Sequence, residues 1–237
     1  MVGILEKIKI VTRQRVEQLK NPFNEIQNDY IVEQTFTFEK GKIYGIVSEH
    51  GEGGEMISAI MSGIIPIKEE EVYFDEKKVE NPDMQSIGWY VGKSEYRRGI
   101  INREISVKKA LTDAVKKYQR YKDVDEIIED FHLTVGRLNY KLSQYSGEKW
   151  RASLAIGYAC KKELYCFSWM STLRFTSILE SSGVFRFFKR LKAEGCIVIL
   201  PTSYKENVVG FVDEVIEIDN ARYKSILSDT KYFKEHF

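Results

Sequence analysis

Residues 43–60 read IYGIVSEHGEGGEMISAI. A β-branched and aromatic run breaks at Ser48 into a turn punctuated by Gly51, Gly53 and Gly54, and apolar residues then resume at helical spacing. Strand, glycine-rich turn and helix is the layout of a phosphate-binding loop, G-x-x-x-x-G-K-[ST]. There the glycines let backbone N–H groups close on phosphate oxygens, the lysine neutralises them and the hydroxyl holds Mg²⁺. With Gly51 and Gly53 as the inner glycines, Ser48 stands at the opening glycine, Gly54 at the lysine and Glu55 at the hydroxyl. Glu49, Glu52 and Glu55 add carboxylates where a polyphosphate brings its own negative charge, and two like charges about 4 Å apart repel by roughly 4 kcal/mol at an effective dielectric near 20. Glu55 has a plainer reading as a first-turn acid facing the positive end of the helix, worth about 0.3–1 kcal/mol. Exchanging Gly54 for Lys and Glu55 for Thr is expected to restore some nucleotide affinity without turnover.

The 237 residues suit one domain of ordinary size. Basic and acidic residues balance, 36 against 35, so no global field draws the chain to nucleic acid or to an anionic membrane, and no nucleic-acid partner is expected. Three cysteines, Cys160, Cys166 and Cys196, lie in apolar or helical surroundings and predict reduced thiols and a cytosolic setting. No apolar run approaches membrane-spanning length, and the opening MVGILEKIKIVTRQR mixes charge with hydrophobics, unlike a signal peptide; work at a membrane would need a partner to hold the chain there. His50, His132 and His236 share no ligand spacing with the cysteines, so no metal site is expected, and no serine sits in G-x-S-x-G.

Along the chain, 4–12 and 31–38 read as strands, Asn21-Pro22 breaks the chain between them, 71–74 is a short strand, and 84–92 is another. From Ser106 the period turns helical, with Val107, Ala110, Leu111 and Ala114 on one face, and a second helix starts near Asp123. The string KKYQRYK at 116–122 reads as the solvated face of a helix rather than a nucleic-acid patch. A polar turn at 142 opens a helix to Ala159, LYCF is a buried strand, 184–193 a helix, CIVIL a doubly covered strand and DEVIEI a last one. Alternating strands and helices predict an α/β fold with a parallel core.

These stretches together resemble the nucleotide-binding subunit of ABC transporters over about residues 4–225. YGIVSEHGEGGEM corresponds to the family's phosphate loop, IGWYVGKSE to its glutamine loop, QYSGEKWRASLA to its LSGGQ-type signature, LYCFSW to its Walker B strand, and ILPTSYKENVVGFVDEVIEI to its switch-histidine segment. The resemblance implies an ABC ATPase domain of the P-loop NTPase type: a mostly parallel core sheet and an N-terminal antiparallel β subdomain over about 1–93 and 150–237, with a helical subdomain inserted at about 94–149.

It also implies that the functional set has changed. Ser168 stands at the Mg²⁺-binding aspartate, Trp169 at the catalytic glutamate, Ser203 at the switch histidine and Lys93 at the glutamine. In the signature, Tyr145 falls on the serine and Ser146 on the first glycine, while Gly147, Glu148, Lys149 and Arg151 fit. Phe23 and Tyr30 both lie off the usual spacing of the adenine-stacking aromatic. The expected function is that of an ABC subunit homologue without hydrolysis of its own, with vestigial phosphate loop and signature and no resident ATP or Mg²⁺. Its expected partners are a membrane permease and a second cassette subunit. The alternatives are a working ATPase, with Glu55 on Mg²⁺ and Lys93 on a phosphate, and an interaction or sensor module that kept the fold. Docking of the permease is expected on the rim 93–104, KSEYRRGIINRE, through Tyr96, Ile100 and Ile101 among arginines, unless those isoleucines fold back into the helical insert.

Overall fold

The computed structural model describes residues 5–94, 96–97 and 103–218. The chain opens with β1 (Lys7–Val11), the hairpin of β2 (Arg15–Lys20) and β3 (Ile26–Ile31), and β4 (Thr35–Glu39). Next come β5 (Ile43–Val47), α1 (Gly54–Met61), β6 (Glu71–Phe74), β7 (Lys77–Val79), α2 (Asn81–Ile87) and β8 (Gly88–Tyr90). A two-residue pair, β9 (Tyr96–Arg97) with β10 (Arg103–Glu104), leads into α3 (Val107–Tyr118), α4 (Val124–Asp130) and α5 (Lys149–Ala159). The last third holds β11 (Leu164–Cys166), α6 (Thr172–Phe175), α7 (Phe188–Ala193), β12 (Ile197–Thr202), α8 (Lys205–Val208) and β13 (Glu214–Glu217).

A parallel sheet in the order β13-β5-β12-β11-β8 forms the centre, and an antiparallel sheet in the order β4-β1-β6-β7 covers one side of it. The parallel strands β5, β8, β11 and β12 are almost wholly apolar because both faces are covered, whereas the edge strand β13 exposes Glu214 and Glu217; alternation splits the inner side chains between two cores. Tyr44, Ile46, Leu164, Cys166, Ile197 and Ile199 face α1 and the antiparallel sheet. Tyr165, Phe167, Val198 and Leu200 face the opposite way, toward the side packed by α3, α5 and α7. α1 lies wholly inside, with all eight of its residues buried. The chain therefore adopts the α/β cassette architecture read from the sequence.

Three local expectations fail for identifiable reasons. Residues 31–38 are not one strand: Thr12 donates its hydroxyl to the carbonyls of Val32 and Gln34, at 2.6 and 3.0 Å, and pins a corner between β3 and β4. Residues 84–87 belong to α2, because the Asp83 carboxylate accepts the Glu80 N–H and starts a helix that buries Met84. KKYQRYK is not one solvated face. α3 ends at Tyr118, Gln119 turns left-handed at φ 53°, Arg120 lies 3.5 Å over the Tyr158 ring and pairs with Glu194, and the Tyr121 hydroxyl donates to Asp130.

Candidate functional site

The turn between β5 and α1 is shaped by Gly51 and Gly53, whose φ of 84° and 97° lie in the left-handed region where a side chain is strained. It is held at its root by the Ser48 N–H on the Thr202 carbonyl, at 3.0 Å, and along its flank by the Tyr30 N–H on the Gly51 carbonyl, at 2.9 Å. β3 thus runs against the loop. A Cβ on Gly51 would come 3.1 Å from the Asn28 carbonyl oxygen, so the strand leaves no gap there.

The same strand delivers Asp29, which is fully buried. Its Oδ1 accepts the Gly53 N–H at 2.9 Å and its Oδ2 the Met56 N–H at 2.6 Å. These donors sit at the start of α1, where helix geometry leaves amides unpaired and the positive end of the macrodipole favours an anion. Burial pushes the Asp29 carboxyl above its ordinary range, and the two amides oppose that shift.

Glu55 does something different from the first-turn role open to it. Its carboxylate leaves the helix terminus and lies against the ends of β8 and β11. Oε1 accepts from the Tyr90 hydroxyl, and Oε2 accepts from Ser168 Oγ and from the Trp169 N–H, both at 2.7 Å. The helix-start role belongs to Asp29. Burial raises the Glu55 carboxyl, with the Tyr90, Ser168 and Trp169 donors opposing and the Asp29 charge adding to the rise. Tyr90 is pushed up in turn, first by burial and then by Glu55. In the resembled family a loop hydroxyl and a strand carboxylate share the Mg²⁺; here the carboxylate is on the loop and the hydroxyl on the strand, bonded directly to each other. With three donors converging on it and burial favouring its neutral form, Glu55 does not fit a cation ligand.

Trp169 fills the space beside Gly54. Its Nε1 donates to the Ser48 carbonyl at 2.9 Å, its ring meets the His50 ring edge-on at 4.8 Å, and it is 8% exposed. A Cβ on Gly54 would lie 2.6 Å from Ser48 Oγ, 3.2 Å from Trp169 Cδ1 and 3.3 Å from Pro201 Cβ. A side chain at Gly54 would therefore require Ser48 or Trp169 to shift, which opposes the nucleotide affinity expected of Gly54→Lys with Glu55→Thr. The loop does not fit a polyphosphate in this arrangement: its Gly53 and Met56 amides serve Asp29, Ser48 and Trp169 crowd the lysine position, and Glu52 and Glu55 are buried beside it.

The other predicted residues are dispersed. Ser203 follows β12, its N–H on the Met170 carbonyl at 3.3 Å. Lys93 lines a cavity of about 560 Å³ with Ser62, Gln85, Trp89, Tyr118 and Lys162, and none of Ser48–Glu55 borders it. Tyr90, which donates to Glu55, borders the same cavity. In the signature segment Ser146 and Gly147 are exposed, whereas Tyr145 is buried and its hydroxyl pushed up to about 12, mainly by burial. Glu148 braces α5 by accepting the Thr134 N–H at 2.6 Å, with Arg137 and Arg151 at 3.6 and 3.7 Å. Tyr96 lies in β9, its backbone paired with Glu104, while Ile100 and Ile101 fall outside the described residues.

Sequence reasoning missed Asp29 and Trp150. Phe23, weighed as an adenine platform, packs against Trp150 with ring centroids 5.1 Å apart and carries the Arg174 guanidinium 4.2 Å above it. Trp150 also presses on Gly92, where a Cβ would come within 2.1 Å of its ring.

No protein-family model matches the chain. It is 24% identical over 232 residues to a putative ABC transporter ATP-binding protein of Mycoplasma genitalium, covering 89% of this chain and 36% of that protein, so it spans about a third of that relative's length. It is 23% identical over 258 residues to the energy-coupling factor transporter ATP-binding protein EcfA1 of Lactobacillus gasseri, covering 98% of this chain and 82% of that protein. Among solved structures it is similar to cbiO1 of Clostridium perfringens, described as part of the ABC transporter complex cbiONQ, with a TM-score of 0.59, 14% identity, and 90% and 85% of the two chains covered. The curated relatives are ABC transporter ATP-binding proteins, and the fold is that of the ABC ATPase cassette.

Proposed function

We propose that this chain is an ABC cassette subunit that has given up ATP binding and hydrolysis and serves a membrane permease as a structural or regulatory partner. One observation carries the reading: the Gly53 and Met56 amides already hold Asp29, while Trp169 covers Gly54. Metal-assisted phosphoryl transfer needs the ion, an aligned water and charge stabilisation together. Ser168, Trp169 and Ser203 stand at the positions that would supply the first two and the switch contact.

Partnership has its own support. The curated relatives are transporter ATP-binding proteins, and cbiO1 is part of a transporter complex. Beside the loop, a groove of about 600 Å³ runs between His50, Trp169, Gln27 and Ser171, with Ile26 and Leu173 on its rim, 65% and 81% exposed. Large apolar side chains standing out at a groove favour contact with another protein surface, here a second cassette. Among the described residues no helix is long and apolar enough to cross a membrane, so attachment falls to the permease. The Tyr96, Ile100 and Ile101 rim remains the proposed place for it.

Calorimetric titration of the purified chain with Mg·ATP, run beside an active cassette, tests the reading. No heat of binding is expected from this chain; saturable binding overturns it.

A further inference from the structure

The β2–β3 hairpin does more than border the loop. From one end to the other, its contacts lie on the loop, the start of α1, and the starts of α5 and α6. Tyr30 holds the Gly51 carbonyl, and Asp29 holds the Gly53 and Met56 amides. At the tip, the Pro22 carbonyl accepts from Lys149 Nζ, and Phe23 packs on Trp150 with the two rings tilted by 49°. Glu25 accepts from Arg174 Nη1 at 2.8 Å, while the same guanidinium lies over Phe23. Within the hairpin, Asn21 Oδ1 accepts the Phe23 and Glu25 N–H groups at 2.9 and 3.1 Å, which fixes the tip in the shape that makes those contacts.

We propose that this hairpin is a tethered occupant of the loop. The Asp29 carboxylate takes the place of an oxyanion on the Gly53 and Met56 amides, and the tip, latched by Lys149, Trp150 and Arg174, keeps it there. The inference rests on the functional reading above and adds what closes the site. A carboxylate accepting two amides at a helix start, as Asp29 does, makes the contacts an anionic ligand makes there. A second, independent observation is Ser48 Oγ: it is buried, has no hydrogen-bond partner among the described residues, and stands 2.6 Å from where a Gly54 Cβ would lie. The cradle thus keeps an unused hydroxyl beside the amides that Asp29 uses. A tethered group is always present at high effective concentration, so a free anion meets a site that is already filled.

The latch and the occupant are separable. Glu25, Phe23 and Arg174 meet at the tip, whereas Asp29 acts four residues further along β3. A partner that takes Glu25 or Arg174 for itself would release the tip and expose the loop amides.

Inorganic pyrophosphate is the probe, titrated at constant ionic strength into the 237-residue parent and into Asp29→Ala. The parent is expected not to respond, and Asp29→Ala to bind at least tenfold more tightly, with a rise in its thermal midpoint that sodium chloride does not reproduce. Equal affinity in the two proteins overturns the inference. A parent that binds Mg·ATP overturns the functional reading and this inference with it, whereas equal pyrophosphate affinity overturns the inference alone, so the two failures are distinguishable. If Asp29→Ala does not fold, Arg174→Ala decides: amide exchange at Gly53 and Met56 should quicken at least tenfold once the tip is unlatched. Unchanged exchange there rejects the hairpin as a displaceable occupant.

Discussion

The phosphate loop and the signature segment differ in how their substitutions are accommodated. At the loop the buried groups meet partners, the Ser48 hydroxyl excepted: Glu55 has Tyr90, Ser168 and the Trp169 amide, Trp169 has the Ser48 carbonyl and His50, and the Gly53 amide has Asp29. At the signature the changed Ser146 and the retained Gly147 lie exposed, and a Cβ on Gly147 would meet nothing within 4 Å. One half of what would be a composite site is closed from within, while the other still faces outward. Solvent-facing backbone tolerates change because little packs on it, whereas buried positions change only together with their neighbours. The loop's buried side chains hold one another, while the signature leaves Ser146 and Gly147 exposed and buries Tyr145.

The comparison breaks most readily at Trp169. Trp169→Ala removes a buried indole together with its bond to the Ser48 carbonyl, and should lower the unfolding free energy by about 3–5 kcal/mol in a denaturant titration. A variant as stable as the parent would mean that the ring does not fill the loop. Gly54→Lys comes next, at about 1–3 kcal/mol of destabilisation from overpacking against Ser48, Trp169 and Pro201, with no gain in nucleotide affinity. The Glu55→Gln effect is smaller and depends on pH. Because burial raises the folded Glu55 carboxyl above its unfolded value, its contribution is fully present below the unfolded value and is lost as pH rises through the folded one. The thermal midpoint of Glu55→Gln relative to the parent should therefore climb from pH 4 to pH 8; a flat difference contradicts a raised Glu55. Gly147→Ala should stay within about 0.5 kcal/mol of the parent, and a larger loss would place that segment in a packed environment.

The sequence made the parallel core legible because its signals are local: IYGIV and CIVIL are unbroken apolar runs, and Ser106 and Asp123 each cap the helix that follows by accepting an N–H three residues on. It also marked the altered loop, since Gly54, Glu55, Ser168 and Trp169 are visible one at a time. Their conjunction was not visible. Glu55 meets Ser168 across 113 residues and Asp29 meets Gly53 across 24, and neither contact leaves a periodicity. Residues 15–31 read as little more than a break at Asn21-Pro22, although they fold into the hairpin that covers the loop. For Lys93 the motif position fixed where the residue falls in the chain but not which cavity its side chain lines.

The central claim, that the loop is filled by the chain's own side chains, is tested most directly by the thermal midpoint of the parent with and without millimolar Mg·ATP. A ligand present at a hundred times its dissociation constant would add about 2.7 kcal/mol, a shift of several degrees for a domain of this size. A filled loop predicts no shift beyond that given by an equal ionic strength of salt. A rise of several degrees, saturating with nucleotide, would contradict it.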